Sequence, residues 1–349
     1  MPRPTAVVAI TASVLLALTA CSVGGTTGGG PTDKRVVVAT HDAWAMSKRV
    51  LEQFTRRTGY HVVIEENGDA GALTNKLVLT KGDPIADLTY GIDNTFGSRA
   101  VDAGILADFT PADVPASAAR FDLPGGSKQL TPIDYSDVCV NIDDMWFADH
   151  HLAPPKTLAD LTRPAYRDLF VTEGATTSST GLAFLLATIA RYGAHWPDYW
   201  RALMANGAKV TAGWTDAWGV DYTAGGGNGD RPIVTSYASS PPDTIPKGGT
   251  APTTSALLDT CFRQVEYAGV LKGAQNPAGA RAFESFMLRR AFQSRLPEEM
   301  YVYPVDTSLA LPKVWARYAA TAPHPLTLPP ATIAAKRDQW LRTWSAVTG

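Results

Sequence analysis

From Arg35 onward, segments suited to buried strands alternate with segments of helical period, and that alternation limits the fold to an α/β class. Arg35-Val36-Val37-Val38-Ala39-Thr40 is short and rich in β-branched residues, the composition of a buried strand. Ser47 to Arg57 carries Val50, Leu51 and Phe54 on one helical face and is stopped by Gly59. His61-Val62-Val63-Ile64-Glu65 follows as a strand, Gly71 to Thr80 as a helix, and Ala86-Asp87-Leu88-Thr89-Tyr90 as a third strand. Strands separated by helices are expected to run mostly parallel, with helices on both faces of the sheet. Ligands of such sheets sit where loops leave the carboxyl ends of the strands. Here those loops are His41-Asp42-Ala43-Trp44 and Gly91-Ile92-Asp93-Asn94.

A second stretch of the same kind runs from about Thr157 to Thr260. It holds helices over Gly181 to Arg191 and Trp196 to Met204, a strand over Arg231 to Tyr237, and a Pro- and Gly-rich loop from Pro241 to Pro252. The β-rich segments Ile133 to Val140 and Cys261 to Val270 flank it and are expected to cross between two lobes. Helices over Pro277 to Leu288 and Ala331 to Val347 close the chain. The expected division gives residues 35–135 with about 268–310 to lobe 1 and 136–267 to lobe 2. The helical segment 311–349 is assigned to neither.

Ahead of these elements, Arg3 precedes the apolar run Ala6 to Ala20. About 15 residues is signal-peptide length and falls short of the roughly 20 that a bilayer span needs. The run ends Leu18-Thr19-Ala20-Cys21, which resembles a bacterial lipobox. Residues 1–21 therefore read as a lipoprotein leader and 22–34 as a flexible Gly/Thr tether. Acyl chains on Cys21 would anchor the mature chain outside the cytoplasmic membrane. Cys139 and Cys261 remain, an even pair that in this compartment suggests a disulfide, with two buried free thiols as the alternative. The chain has no CxxC or HExxH pattern, so neither a metal site nor a cofactor is expected. A net charge of −2 with interspersed signs and no basic stripe argues against nucleic acid as a partner.

Four motifs, in order and register, resemble the bacterial thiamine-binding proteins of ABC importers. Leu88-Thr89-Tyr90-Gly91-Ile92-Asp93-Asn94 is similar to their GLDN segment, and Thr211-Ala212-Gly213-Trp214-Thr215-Asp216-Ala217-Trp218 to GWSEAY. Thr235-Ser236-Tyr237-Ala238-Ser239-Ser240-Pro241 is similar to LSYTTSP. The stretch Ala291-Phe292-Gln293, Leu296-Pro297, Tyr303-Pro304-Val305 matches their FQ, IP and MYPV run. The similarity extends over roughly Arg35 to Gly349. It implies a two-lobed type II periplasmic-binding-protein fold with hinge strands between the lobes. It further implies a monomer that binds thiamine or a thiamine phosphate and passes it to a membrane permease driven by an ATPase.

Thiamine carries a permanent thiazolium cation, so the implied site needs a carboxylate, aromatic faces or both. A ring against a desolvated cation contributes about 0.5–2 kcal/mol. Asp93 aligns with the family's acidic contact, although an Asp in that place could equally cap the helix starting near Thr95. Asn94 lies in the same loop. Trp214 and Tyr237 match aromatic ligand positions, and Trp218, four residues beyond Trp214, could pack against it instead. Trp44 and His41 occupy the first loop, His41 where the family has a tyrosine. Tyr301 stands where the family has a Trp, and Asp243 where some members have a Tyr. Ser179, Thr180 and Gly181 open the helix that follows Thr177-Ser178, where amides could hold the ligand tail or a phosphate, or where Ser and Thr are ordinary caps.

Rival ligands are ferric iron, a polyamine or a phosphonate. The iron branch of this fold carries adjacent tyrosines, whereas Tyr301 and Tyr303 are one residue apart and would face opposite sides of a strand. A secreted enzyme is the out-of-class alternative. It lacks support, because no GxSxG elbow or compelling Ser/His/Asp arrangement is present and His150-His151 lies in a loop-like stretch.

Overall fold

The computed structural model describes residues 34–126 and 128–349. The leader, Cys21 and all but the last residue of the tether lie outside the described residues.

Strands β1 (Arg35–Thr40), β2 (His61–Glu66) and β3 (Leu88–Asp93) form a parallel trio with β1 in the middle. Helices α1 (Lys48–Thr58), α2 (Ala70–Leu79) and α3 (Gly97–Ala103) follow them in turn. Val50 and Phe54 bury the apolar face of α1, and Gly59, at φ 76°, ends that helix in the left-handed conformation that glycine adopts without a Cβ clash.

A second trio comprises β5 (Phe170–Glu173), β6 (Lys209–Thr211) and β7 (Ile233–Tyr237), again parallel, with β5 in the middle. Strand β4 (Thr131–Asp143) and helix α4 (Asp144–Asp149) precede it. Helices α5 (Ser179–Tyr192), α6 (Trp196–Ala205) and the single turn α7 (Trp214–Asp216) lie within it. The long strand β8 (Thr254–Val270) follows.

Strands β4 and β8 join the two trios. β8 pairs with β3 on one side and with β4 on the other, and β4 pairs with β7. The strand order is β2-β1-β3-β8-β4-β7-β5-β6. Each trio is parallel, as the alternation requires, but the middle of the sheet is antiparallel. The reason is geometric: one strand carries the chain into the second half and the other brings it back. Both exceed their sequence-based bounds, 133–140 and 261–270, because polar residues such as Thr131, Asn141 and Thr254 are buried within them.

The register of β4 on β8 shifts between Val138 and Val140. There the Thr260 hydroxyl accepts the Val140 amide at 2.9 Å, and a disulfide joins Cys139 to Cys261.

Helices α8 (Pro277–Met287), α9 (Arg290–Gln293) and α10 (Leu296–Glu299) return to the first half, where Phe283 packs on Phe54. A two-residue strand β9 (Tyr303–Pro304) then pairs with β4, followed by α11 (Lys313–Tyr318). The last helix, α12 (Pro330–Thr348), touches both halves. Its Trp344 meets Trp200 of α6 edge-on, and its Arg337 donates to Thr95 and Ser98 beside α3. No described helix is long and apolar enough to cross a membrane.

Candidate functional site

A cavity of about 400 Å³ opens between the two halves. The strand order decides its place, because the loops after β1, β2, β6 and β7 converge there. Residues 299–302, between α10 and β9, supply a further edge.

One wall is aromatic. Trp214 and Trp218 lie nearly parallel, 5.7 Å apart at 14°, with Tyr237 6.0 Å from Trp214. The Trp214 indole donates to the Ser236 hydroxyl at 2.9 Å, which fixes the ring's edge. Immediately after α7 the chain widens into a π-helical turn over Ala217–Asp221 that carries Trp218. Such turns recur at functional sites. The loop residues Gly225, Gly227 and Gly229 lie directly against this turn, and a Cβ at any of them would overlap the backbone of Trp218, Gly219 or Asp221.

Trp44, His41 and Tyr301 also line the cavity. Trp44 and His41 both rest on buried Tyr90, at 5.4 and 5.5 Å. Tyr301 has φ 55°, a region that costs a non-glycine residue on the order of 1–3 kcal/mol. The Ser239 hydroxyl holds it there by donating to the Tyr301 carbonyl at 2.7 Å.

The remaining lining is acidic. Asp69 caps α2 and reaches across to the second half. Its Oδ1 accepts the amides of Ala70 at 2.6 Å and Ser179 at 3.2 Å, and its Oδ2 accepts the Trp214 amide at 3.0 Å. Burial, and next the Asp69 charge, raise the Asp42 carboxyl above its usual range. Glu266 projects from β8 toward His41, with Oε1 3.5 Å from Nε2. Burial alone would raise Glu266, but His41 and its hydrogen bonds outweigh that and hold it low. Burial alone would lower His41, and the same carboxylate reverses the sign. Behind Glu266, Asp134 is pushed well up by burial and by its acidic neighbour, so Glu266 carries the charge of that pair. The Tyr237 phenol is likewise driven far up, by burial and then by Glu266, Asp69, Glu173 and Asp93. None of the described residues lining the cavity is Lys or Arg.

Of the residues expected at the site, His41, Trp44, Ser179, Trp214, Trp218, Tyr237 and Tyr301 line the cavity. Trp218 both packs on Trp214 and faces the cavity. Asp93 does not line it. It is fully buried, and its Oδ1 accepts the Thr95 and Phe96 amides, both at 3.1 Å, and the Thr95 hydroxyl at 2.7 Å. These bonds close the turn ahead of α3, whose N-cap is Phe96, and burial raises the Asp93 carboxyl to about 7. Asn94 is consumed by β8, bonding the Arg263 carbonyl and the Val265 amide. Thr180 and Gly181 lie beneath the surface, where a Cβ on Gly181 would sit 2.5 Å from the Glu173 carbonyl. The sequence reading missed Asp69 and Glu266. Asp69 carries the same signal as Asp93, an acid between a strand and a helix; Glu266, inside a long strand, carries none.

Among the described residues no group of three or more His, Cys, Asp or Glu is placed to hold a metal ion. The family model described as bacterial extracellular solute-binding protein matches residues 83–323.

The chain belongs to that family.

This solute-binding protein is 27% identical over 346 residues to the thiamine-binding periplasmic protein of Brucella abortus biovar 1 (strain 9-941), covering 96% of this chain and 98% of the relative. It is 28% identical over 316 residues to the protein of the same name from Salmonella typhimurium (strain LT2), covering 88% and 92%. A solved structure described as a periplasmic thiamin binding protein matches with a TM-score of 0.78 at 25% identity, covering 90% of this chain and 96% of that one. Iron-bound HitA from Pseudomonas aeruginosa matches with a TM-score of 0.69 at 21% identity, covering 90% and 99%, a likeness of fold alone. The fold is that of the two-lobed type II periplasmic binding proteins. Its relatives are extracytoplasmic solute-binding proteins rather than enzymes.

Proposed function

We propose that this solute-binding protein captures thiamine or a thiamine phosphate between its lobes and delivers it to an ABC permease. The observation that carries the reading is the pairing of the Trp214–Trp218 wall with the acids Asp42, Asp69 and Glu266, and no Lys or Arg among the described lining. A flat molecule with a permanent positive charge satisfies both parts: rings stack on it, and carboxylates neutralise a charge that burial cannot remove. The names of the relatives in Brucella and Salmonella support the same ligand.

In this reading residues 35–135 with about 268–310 form one lobe and 136–267 the other, with β4 and β8 as the hinge. Cys21 carries the lipid anchor, and the chain acts as a monomer. Ligand bridging the lobes shifts the population toward the closed state by its differential affinity for that state.

The test is a thermal melt of the purified protein with thiamine, thiamine diphosphate, spermidine and ferric citrate. Ligand at about 100 times Kd should add roughly 2.7 kcal/mol, a rise of several degrees in Tm. Stabilisation by spermidine or ferric citrate, with none by thiamine compounds, would move the assignment to that solute.

A further inference from the structure

We propose that the ligand's cation and a proton on His41 compete for the Glu266 carboxylate, so that capture of the cation expels the proton from His41 to solvent. This rests on the function proposed above and deepens it.

His41 is the one basic side chain among the described lining residues, and its Nε2 faces Glu266 across 3.5 Å. Two contacts keep the ring in place. The Gly91 backbone, at φ 98°, lies so near that a Cβ there would sit 2.1 Å from the His41 Cδ2. The Ala43 amide donates to Nδ1 at 3.2 Å. Nδ1 is therefore an acceptor, and the ring hydrogen belongs on Nε2, toward Glu266. An imidazolium needs a second hydrogen on Nδ1 and gives up the Ala43 bond. Neutral His41 keeps it.

The surrounding carboxylates are what favour the charged ring. Burial opposes it, but Glu266 of β8, then Asp69 ahead of α2 and Asp42 in the same loop, raise His41 above its ordinary value. Tyr90 of β3, packed on the ring, stays neutral, because burial, Asp134 and Glu266 push its phenol far up.

A permanent cation in the cavity changes this balance. Asp69 already spends its oxygens on the amides of Ala70, Ser179 and Trp214. Glu266 meets, besides His41, only the neutral donors Tyr90 Oη at 3.1 Å and Gln264 Nε2 at 3.4 Å among the described residues. Burial cannot remove the ligand's charge, whereas it can remove that of His41. Of two cations beside one carboxylate, His41 is the one that yields, and in yielding it regains the Ala43 bond. Proton and ligand thus oppose each other. By reciprocity, affinity rises with pH through the range in which His41 titrates.

Isothermal titration of the purified protein with thiamine at about pH 6, 7 and 8, each in two buffers of different ionisation enthalpy, tests this. The parent should release protons on binding, read from the buffer dependence of the enthalpy. Its Kd should fall at least about threefold from the lowest pH to the highest. His41→Gln and His41→Tyr, neither of which takes up a proton in this range, should lose both effects. Asp93, its carboxyl raised by burial to about 7, is the rival source, and Asp93→Asn should keep both effects. Thiamine binding without proton release by the parent overturns the inference and leaves the proposed function standing. Release that survives in a folded His41 variant, or vanishes in Asp93→Asn, overturns it as well. No thiamine binding at any pH overturns the inference and the proposed function together.

Discussion

The Asp69 carboxylate accepts the backbone amide of Trp214 at 3.0 Å, although 145 residues separate them in sequence. One side chain thus caps a helix in the first half, holds the turn that carries the aromatic wall in the second, and lines the cavity between them.

Asp69→Ala should therefore fail in two separable ways. Loss of the cap and of the bonds between halves costs about 1–2 kcal/mol of stability, read by urea unfolding. Loss of the charge weakens thiamine binding by more than about tenfold, read by titration under conditions where the variant is folded. Unaltered affinity would remove Asp69 from the site.

Asp93→Asn should behave oppositely. The amide keeps an oxygen for the Thr95 and Phe96 amides, so the turn leading into α3 stays closed and Kd changes by less than about threefold. The pH dependence has a defined sign. A carboxyl raised to about 7 in the folded state destabilises it as pH rises from the ordinary Asp range, near 4, toward 7. The variant should gain stability relative to the parent between about pH 5 and 8, and melts across that range would show the two curves diverging.

His41 and Glu266 stabilise each other in a bounded window. His41 is raised, so its contribution is full below its ordinary pKa and is lost as pH rises through the folded value. Glu266 is lowered, so its contribution is full above the ordinary glutamate range and is lost as pH falls through the folded value. His41→Gln should flatten the alkaline limb of the stability profile, measured by melting at a series of pH values.

Trp214→Phe retains a ring but removes the indole donor to Ser236, so Kd should rise a few-fold; Trp214→Ala should cost about tenfold or more. Titration of the two side by side separates stacking from the hydrogen bond. Equal affinity of the alanine variant and the parent would take the aromatic wall out of recognition.

Gly225→Ala forces a methyl into the Trp218 carbonyl. The π-helical turn must shift, at a cost of about 1–3 kcal/mol, and Trp218 should leave its parallel stack on Trp214. Near-ultraviolet circular dichroism reports that stack, while Gly219→Ala, where a Cβ meets open space, serves as the control.

Local pattern made most of the framework legible. β1 has the bounds read from its β-branched run, and α1, α2, α5, α6, α8 and α12 begin and end within two residues of their sequence-based limits. Periodicity and terminators suffice there because each is a property of neighbours along the chain. The long strands β4 and β8 were only partly legible, since their buried acids and amides find partners on other strands that no local window contains.

The aromatic lining was legible through the resemblance, because Trp44, Trp214, Tyr237 and Tyr301 stand where the family's motifs place rings. The acids could not be told apart. Asp69 and Asp93 each stand where a strand gives way to a helix, and each accepts amides just beyond it in the chain. The sequence determined that much. What separates them is where the second half of the chain lies: Asp69 meets the amides of Ser179 and Trp214, whereas Asp93 closes on its own turn and is covered. A carboxylate's role depends on which donors and charges surround it, and only the tertiary structure brought those to one acid and not to the other.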